Sequence, residues 1–372
     1  MRWTLLVGAA VAAWTLPGCK AGREPGAPAV VVKGGDEAAS CRSCHAAQVE
    51  SQALTAHAHS TAPATEETVR GSFAPGRNVL GAGKPPVSLV MEKREGALFQ
   101  VWRDTSTGTE RAHRFDVVFG SGRNGQAYMY WRGQELMMMP ACWLPRPGSW
   151  TLMGRSGDAE LPMPPRCMEC HTGGRLKPGE KTGFGISCAS CHGEGEGHVA
   201  WHSAHPGEAA GKAIYNPGKQ AREKSLEGCA LCHSGSRVMK TPEFSWKPGE
   251  PLDAHLGAPM PGADLMDTHG NQVGMLRRSR CFQQSPAMTC ATCHDVHRTE
   301  RDLDVLAKTC AGCHATPKHR DANIPPAPSA ACIECHMPDR PTGFIRLMTP
   351  TGMVSPKYRS HAIGIYPAGA GQ

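Results

Sequence analysis

Residues 167–192 read CMECHTGGRLKPGEKTGFGISCASCH and contain the motif Cys-x-x-Cys-His twice, beginning at Cys167 and at Cys188. The same motif recurs along the rest of the chain. Its seven copies begin at Cys41, Cys167, Cys188, Cys229, Cys290, Cys310 and Cys332. Every Cys-x-x-Cys pair in the chain is followed at once by histidine, so the pattern is not a chance product of composition.

The motif is typical of c-type haem attachment. Two cysteines three residues apart lie on one helical turn and can add to the two vinyl groups of a haem, while the adjacent histidine ligates the iron. Paired cysteines also build zinc sites, but zinc does not require histidine at the next position in every copy. The sequence therefore predicts seven covalently bound c-type haems, an iron cofactor in each.

Each motif supplies three site residues. The predicted thioether cysteines are Cys41, Cys44, Cys167, Cys170, Cys188, Cys191, Cys229, Cys232, Cys290, Cys293, Cys310, Cys313, Cys332 and Cys335. The predicted proximal iron ligands are His45, His171, His192, His233, His294, His314 and His336.

Enough histidines lie outside the motifs to give every iron a second axial ligand. The candidate distal ligands are His57, His198, His255, His269, His297, His319 and His361. His57 is preferred to His59 within TAHAHS, and His113, His202 and His205 are expected to face solvent or haem propionates. Complete bis-histidine ligation suits electron transfer, whereas an open position would permit substrate binding, and the sequence does not decide between them.

The first residues predict export. Residues 1–18 combine Arg2 with a short apolar run and end before Cys19, which resembles a bacterial lipobox, so we expect a lipoprotein signal peptide with lipidation at Cys19. Cleavage by the general signal peptidase is the alternative. Residues 19–36 are rich in Ala, Gly and Pro and predict a flexible tether. Lys20 instead of aspartate favours the outer membrane, on its periplasmic or cell-surface face.

The spacing of the motifs divides the rest of the chain, from residue 37 onward, into three parts. Residues 37–62 form the first haem segment, 63–163 a β-rich insert, and 164–372 a six-haem domain. Within the insert VSLVMEK, LFQVWRD, FDVVF and QAYMYW read as strands. Because only 40% of residues are hydrophobic and the chain has 43 glycines and 31 prolines, we expect little regular structure. The predicted fold class is a mostly irregular and α-helical multihaem cytochrome c with a haem-packed core and a small antiparallel β insert.

The formal net charge is +7, and we expect most of this excess positive charge to neutralise haem propionates. The sequence offers no nucleic-acid-binding motif. Cys142 and Cys281 stay outside the motifs, and either a disulfide between them or two free thiols fits the sequence.

The paired motifs, together with CHGEGEGH, SRCFQQS, CHDVH, ECHMP and the C-terminal RSHAIG, resemble multihaem c-type cytochromes with doubled CXXCH motifs. That group is similar to the tetrahaem electron acceptor of hydroxylamine oxidoreductase and, more distantly, to pentahaem nitrite reductase. The resemblance implies stacked and perpendicular haem pairs, mostly bis-histidine ligation, and His57, His198, His297, His319 and His361 as distal ligands. The lysine that often marks the catalytic motif of such nitrite reductases is lacking here.

The expected function is relay of electrons between redox partner proteins outside the cytoplasm, without catalytic residues. One alternative is an enzyme with one open-coordination haem that acts on a small nitrogen or sulfur compound. The second is a homo-oligomer, the subunit of an extracellular cytochrome filament.

Overall fold

A computed structural model describes residues 36–81, 87–152, 160–174, 176–179, 183–209, 211–260, 270–319, 327–342, 347–349 and 352–366. The signal peptide, Cys19, His269 and the tether before residue 36 lie outside these residues. The helices are α1 (Asp36–Gln52), α2 (Pro165–Thr172), α3 (Ala189–His192), α4 (Glu196–Ala204), α5 (Arg222–His233), α6 (Gln272–Arg277), α7 (Arg280–Gln284), α8 (Leu303–Ala311) and α9 (Ala330–His336).

The strands gather mainly between residues 61 and 162. They are β1 (Thr61–Pro63), β2 (Val79–Gly81), β3 (Val87–Arg94), β4 (Ala97–Asp104), β5 (Thr109–Arg114), β6 (Val117–Phe119), β7 (Gln126–Arg132), β8 (Glu135–Leu144), β9 (Ser149–Leu152), β10 (Leu161–Pro162), β11 (Arg237–Met239), β12 (Leu256–Pro259), β13 (Asp339–Pro341), β14 (Leu347–Thr349), β15 (Gly352–Val354) and β16 (Lys357–Arg359).

The larger sheet has eight antiparallel strands in the order β1-β6-β7-β8-β9-β14-β15, with β10 on β8. Its centre is the β7–β8 hairpin, in which Tyr130 lies opposite Met137 and Met129 lies opposite Met138. The far C-terminal strands also belong to it, because Met348 of β14 pairs with Leu152 of β9. A sheet that begins next to the first motif is thus completed by residues after the last motif.

A four-stranded sheet, β2-β3-β4-β5, packs against one face of the larger sheet. Leu89 and Met91 of β3 are fully buried against residues of β7 and β8. Trp150 lies in the same core and donates its indole N–H to the Ser72 carbonyl at 2.8 Å. Because alternate residues of each strand point into this core, it is a conventional apolar interior.

The other face of the larger sheet supports the segment that carries the Cys167 motif. Phe119, Met129 and Met138 point to this face and form one cluster with Met163 and Leu176. Cys167, Met168 and Phe184 pack on the same cluster. The period-2 alternation of β6, β7 and β8 therefore gives the sheet two apolar faces, one for the second sheet and one for the motif region.

The predicted fold class is wrong. The structure is β-rich, with an eight-stranded and a four-stranded antiparallel sheet and an apolar core between them. It is not a mostly irregular and helical chain with a small β insert. The low average hydrophobicity of the chain was misleading because its apolar residues are concentrated in β3 to β9. In β8, every residue after Glu135 is buried. A core needs local rather than average apolar content.

The described residues contain no helix long and apolar enough to cross a membrane. Cys281, which lies outside the motifs, carries a free thiol, so it is not joined to Cys142.

Candidate functional site

The CXXCH motifs lie on or at the ends of short helices, which gives each cysteine pair the spacing of a single turn. Residues 167–171 lie in α2, 229–233 end α5, and 332–336 end α9. In α1 the motif histidine breaks the helix, since His45 has φ −119° and ψ 41°. The backbone thus changes direction at the motif histidine.

Within the part of the chain that the structure describes, five motif histidines each face a histidine from elsewhere in the sequence. The separations of the ring centroids all fall between 6.1 and 6.3 Å. The pairs, with the motif histidine first, are His45 with His198, His233 with His57, His192 with His297, His294 with His361, and His336 with His319.

This separation fits two imidazoles on opposite sides of one metal ion. A metal–imidazole bond is about 2.0 Å long and the ring centre lies roughly 1.1 Å beyond the nitrogen, so two trans ligands place their centroids about 6.2 Å apart. A tetrahedral pair would place them roughly 5 Å apart. Each of the five pairs could therefore bind one metal ion between its two imidazoles, and the iron of a haem would fit there.

In several of these paired histidines, a hydrogen bond at Nδ1 leaves Nε2 as the nitrogen that is free to bind a metal. His192 Nδ1 donates to the Tyr215 carbonyl at 2.9 Å, and His336 Nδ1 donates to the Gly364 carbonyl at 2.8 Å. On the distal side, His198 Nδ1 donates to the Lys212 carbonyl at 2.7 Å. A carbonyl oxygen cannot donate, so Nδ1 carries the proton and Nε2 keeps its lone pair. Metal-bound histidines have this arrangement.

Cysteines of different motifs lie side by side, and as a result they shift one another's pKa values. A hydrogen bond to Cys170, together with burial, raises the pKa of Cys232 well above its ordinary value. A hydrogen bond to Cys229 raises the pKa of Cys290, and the same hydrogen bond lowers the pKa of Cys229.

Electrostatic effects between thiols of other motifs extend the series. Burial, followed by the neighbouring thiols of Cys229 and Cys188, raises the pKa of Cys191 to about 11. Burial and then Cys310 raise the pKa of Cys293, and burial and then Cys332 raise that of Cys310. The six motifs from Cys167 onward therefore form one contiguous group, which the His45–His198 pair joins to the first motif.

A buried ion pair lies between two motifs of this group. Glu169, only 5% exposed, binds Arg166 and accepts the backbone N–H of Phe244 at 2.7 Å. Arg166 also donates to the Leu231 carbonyl, next to Cys232. A charged pair at this depth requires such additional hydrogen bonds, and here they connect the helices of the Cys167 and Cys229 motifs.

The remaining candidate histidines have other surroundings. His255 contacts Thr241 through Nδ1 at 2.8 Å and Glu250 through Nε2 at 3.2 Å, so both its ring nitrogens have polar partners. His171 lies 5.5 Å from the Phe119 ring, with Nδ1 3.4 Å from the Ser60 carbonyl. Ligation by His255 and by His269, which lies outside the described residues, stays a prediction.

The histidines that were not proposed as distal ligands also differ from one another. His113 binds Glu160 at 2.7 Å and stacks on Tyr130. His205 stacks on Trp201. His59 is the exception, since its Nε2 is buried without a hydrogen-bond partner and burial lowers its pKa. The sequence alone favoured His57 over His59. That Nε2 of His59 is buried without a hydrogen-bond partner is apparent only in the folded chain.

In the described part of the chain, no group of three or more His, Cys, Asp and Glu side chains could hold a metal ion alone. The histidine pairs would supply two ligands to a bound haem iron, and the cysteines of the same motifs would hold the haem covalently. Comparison of the chain with protein-family models, curated proteins and solved structures gave no significant match.

Proposed function

We propose that the chain is an electron-transfer protein that binds seven c-type haems through its CXXCH motifs. The carrying observation is the set of five histidine pairs, each with one motif histidine and one distant histidine at 6.1 to 6.3 Å. Such pairs suit low-spin iron, and haem bound between them would supply one-electron chemistry between the ferric and ferrous states.

The contiguity of the motifs favours relay. Hydrogen bonds between cysteines connect the Cys167 motif to the Cys229 motif and the Cys229 motif to the Cys290 motif. Electrostatic effects between thiols extend this series to the Cys188, Cys310 and Cys332 motifs. A continuous series of neighbouring sites is what a relay between two partner proteins needs.

The setting of this relay follows from the N-terminal sequence. We propose that the chain is exported, lipidated at Cys19 and anchored at the outer membrane, where redox proteins donate and accept the electrons. The similarity of its motifs to multihaem cytochromes with doubled CXXCH motifs supports the same class of function, although the β-rich fold differs from the one this similarity implied.

Purification of the full chain from cells with a c-type haem maturation system tests the proposal. We expect a covalent mass increase of seven haems, a Soret band, and ferric electron paramagnetic resonance spectra dominated by low-spin signals. A chain that carries no covalent haem would overturn the proposal. As a control, Cys281→Ala should leave the haem count unchanged because its thiol lies outside the motifs, whereas Cys229→Ala/Cys232→Ala should remove one haem.

A further inference from the structure

A buried negative charge lies inside the Cys167 motif. Glu169 occupies the second of the two positions between the motif cysteines. Among the residues that the structure describes, it is the only charged side chain that is buried, and the other buried polar side chains are neutral. Glu334 occupies the same position of the Cys332 motif and is exposed. The position within the motif therefore does not by itself bury a carboxylate, and the fold around the Cys167 motif does.

Both carboxylate oxygens of Glu169 have a partner. Oε2 binds the guanidinium of Arg166, which lies three residues earlier in α2. Oε1 accepts the backbone N–H of Phe244 at 2.7 Å. Phe244 has φ 65°, a left-handed conformation that residues other than glycine rarely adopt. The carboxylate thus holds a strained backbone segment in place as well as a counter-ion.

Arg166 extends this ion pair to the Cys229 motif. Its guanidinium donates to the carbonyl of Leu231, the residue that occupies in that motif the position of Glu169 in its own. A hydrogen bond between Cys170 and Cys232 joins the same two motifs. The negative charge therefore belongs to one predicted attachment site, and the positive charge contacts the next one.

We propose that Glu169 and Arg166 set the reduction potentials of the haems at His171 and His233. The inference rests on the proposed haem function and adds to it the residues that determine how readily two neighbouring sites accept an electron. Reduction of each haem takes one electron from a donor protein and lowers the charge of the site by one, as Fe³⁺ becomes Fe²⁺. A nearby carboxylate therefore favours the ferric state, and a nearby guanidinium favours the ferrous state.

Redox titration of the full-length holoprotein, followed in the visible spectrum, tests the inference. Glu169→Gln removes the negative charge and leaves the guanidinium unpaired, so we expect one or two of the seven midpoint potentials to rise. Arg166→Gln should lower the same potentials, because the unpaired carboxylate then stabilises ferric iron. Shifts of opposite sign are expected of two opposite charges, whereas a purely structural role would give both variants a shift of the same sign.

Glu334→Gln is the matched control, because it makes the same change at the same position of a motif in which the carboxylate is exposed. Its shift should be about fourfold smaller than that of Glu169→Gln. This is the ratio expected between an effective dielectric constant of about 20 within the protein and about 80 in water.

The results separate this inference from the proposed function. Seven haems whose potentials respond equally to Glu169→Gln and Glu334→Gln, or shift in the same direction in Glu169→Gln and Arg166→Gln, would overturn the inference and leave the relay intact. If Glu169→Gln does not fold and mature, Arg166→Gln decides alone, since a chain in which no potential falls contradicts the inference. Absence of covalent haem from the unsubstituted chain would overturn both proposals.

Discussion

The sheet region (residues 61–162 with β14 and β15) and the motif region (residues 36–60 and 164–342) are stabilised in different ways. In the sheet region, side chains as large as Trp150 and Tyr128 are buried against other apolar residues. In the motif region, α3 and α4 bury no side chain at all. A helix without a buried face gains little from the protein around it, since most helical stability comes from packing. Under the proposed function, bound haem would supply the packing that α3 and α4 lack, whereas the sheet region has an apolar core of its own.

The largest difference should appear when haem attachment is prevented. For chain produced without haem maturation, we expect amides of α3 and α4 to exchange with deuterium ~100-fold faster than in the holoprotein, because these helices bury no side chain of their own. Amides of β7 and β8 should exchange at nearly unchanged rates, because their core is protein alone. Hydrogen exchange with mass spectrometry measures both. Equal acceleration in both regions would show that the sheets also need haem.

The apolar core of the sheet region offers the next largest effect. Trp150→Ala should lower the free energy of unfolding by about 4 kcal/mol, because it removes a fully buried aromatic side chain. Gly71→Ala should cost about 3 kcal/mol, since the new Cβ would lie 2.1 Å from Cζ2 of Trp150. Denaturant unfolding measures both changes.

Gly81 provides the matched control. A Cβ at Gly81 meets no atom within 4 Å, so Gly81→Ala should leave the unfolding midpoint nearly unchanged. If the close approach causes the effect, the double variant Gly71→Ala/Trp150→Ala should cost less than the two single changes together, because removal of the indole frees the space. Strict additivity would contradict this explanation.

Glu169 tests the motif region with a smaller change. Glu169→Gln keeps an oxygen for the N–H of Phe244 but leaves the mostly buried Arg166 without its counter-ion. We expect a loss of about 2 kcal/mol in unfolding free energy of the holoprotein. Glu135→Gln in the exposed pair with Arg132 should change it by less than about 0.5 kcal/mol. Equal effects of the two variants would mean that burial of the Glu169 pair is unimportant.

The smallest effect on stability and the sharpest spectroscopic effect should come from one distal histidine. His297→Ala should convert the haem at His192 from low to high spin while the fold is retained, because it removes the imidazole whose ring centroid lies 6.1 Å from that of His192. His113→Ala should leave the spectra unchanged, since His113 binds Glu160 and stacks on Tyr130. Visible and electron paramagnetic resonance spectra compare the two variants, and a high-spin signal in His113→Ala alone would reverse the assignment.

Several strands were predictable from the sequence. VSLVMEK and QAYMYW lie in β3 and β7, because alternating apolar residues suit a sheet buried on one face. The size of the sheet was not predictable. β8 is buried along nearly its whole length, and β14 joins β9 from almost two hundred residues away. Neither the second buried face nor a pairing at that separation leaves a local signal.

The sequence by itself determined the attachment motifs, because two cysteines and a histidine within five residues place their side chains together through local backbone geometry alone. It also supplied the set of histidines from which second ligands could come. Only the tertiary structure decided the pairing, such as His57 with His233 or His198 with His45. Those partners meet because the sheets and loops bring distant segments together, and such contacts depend on packing of the whole chain rather than on any short stretch of it.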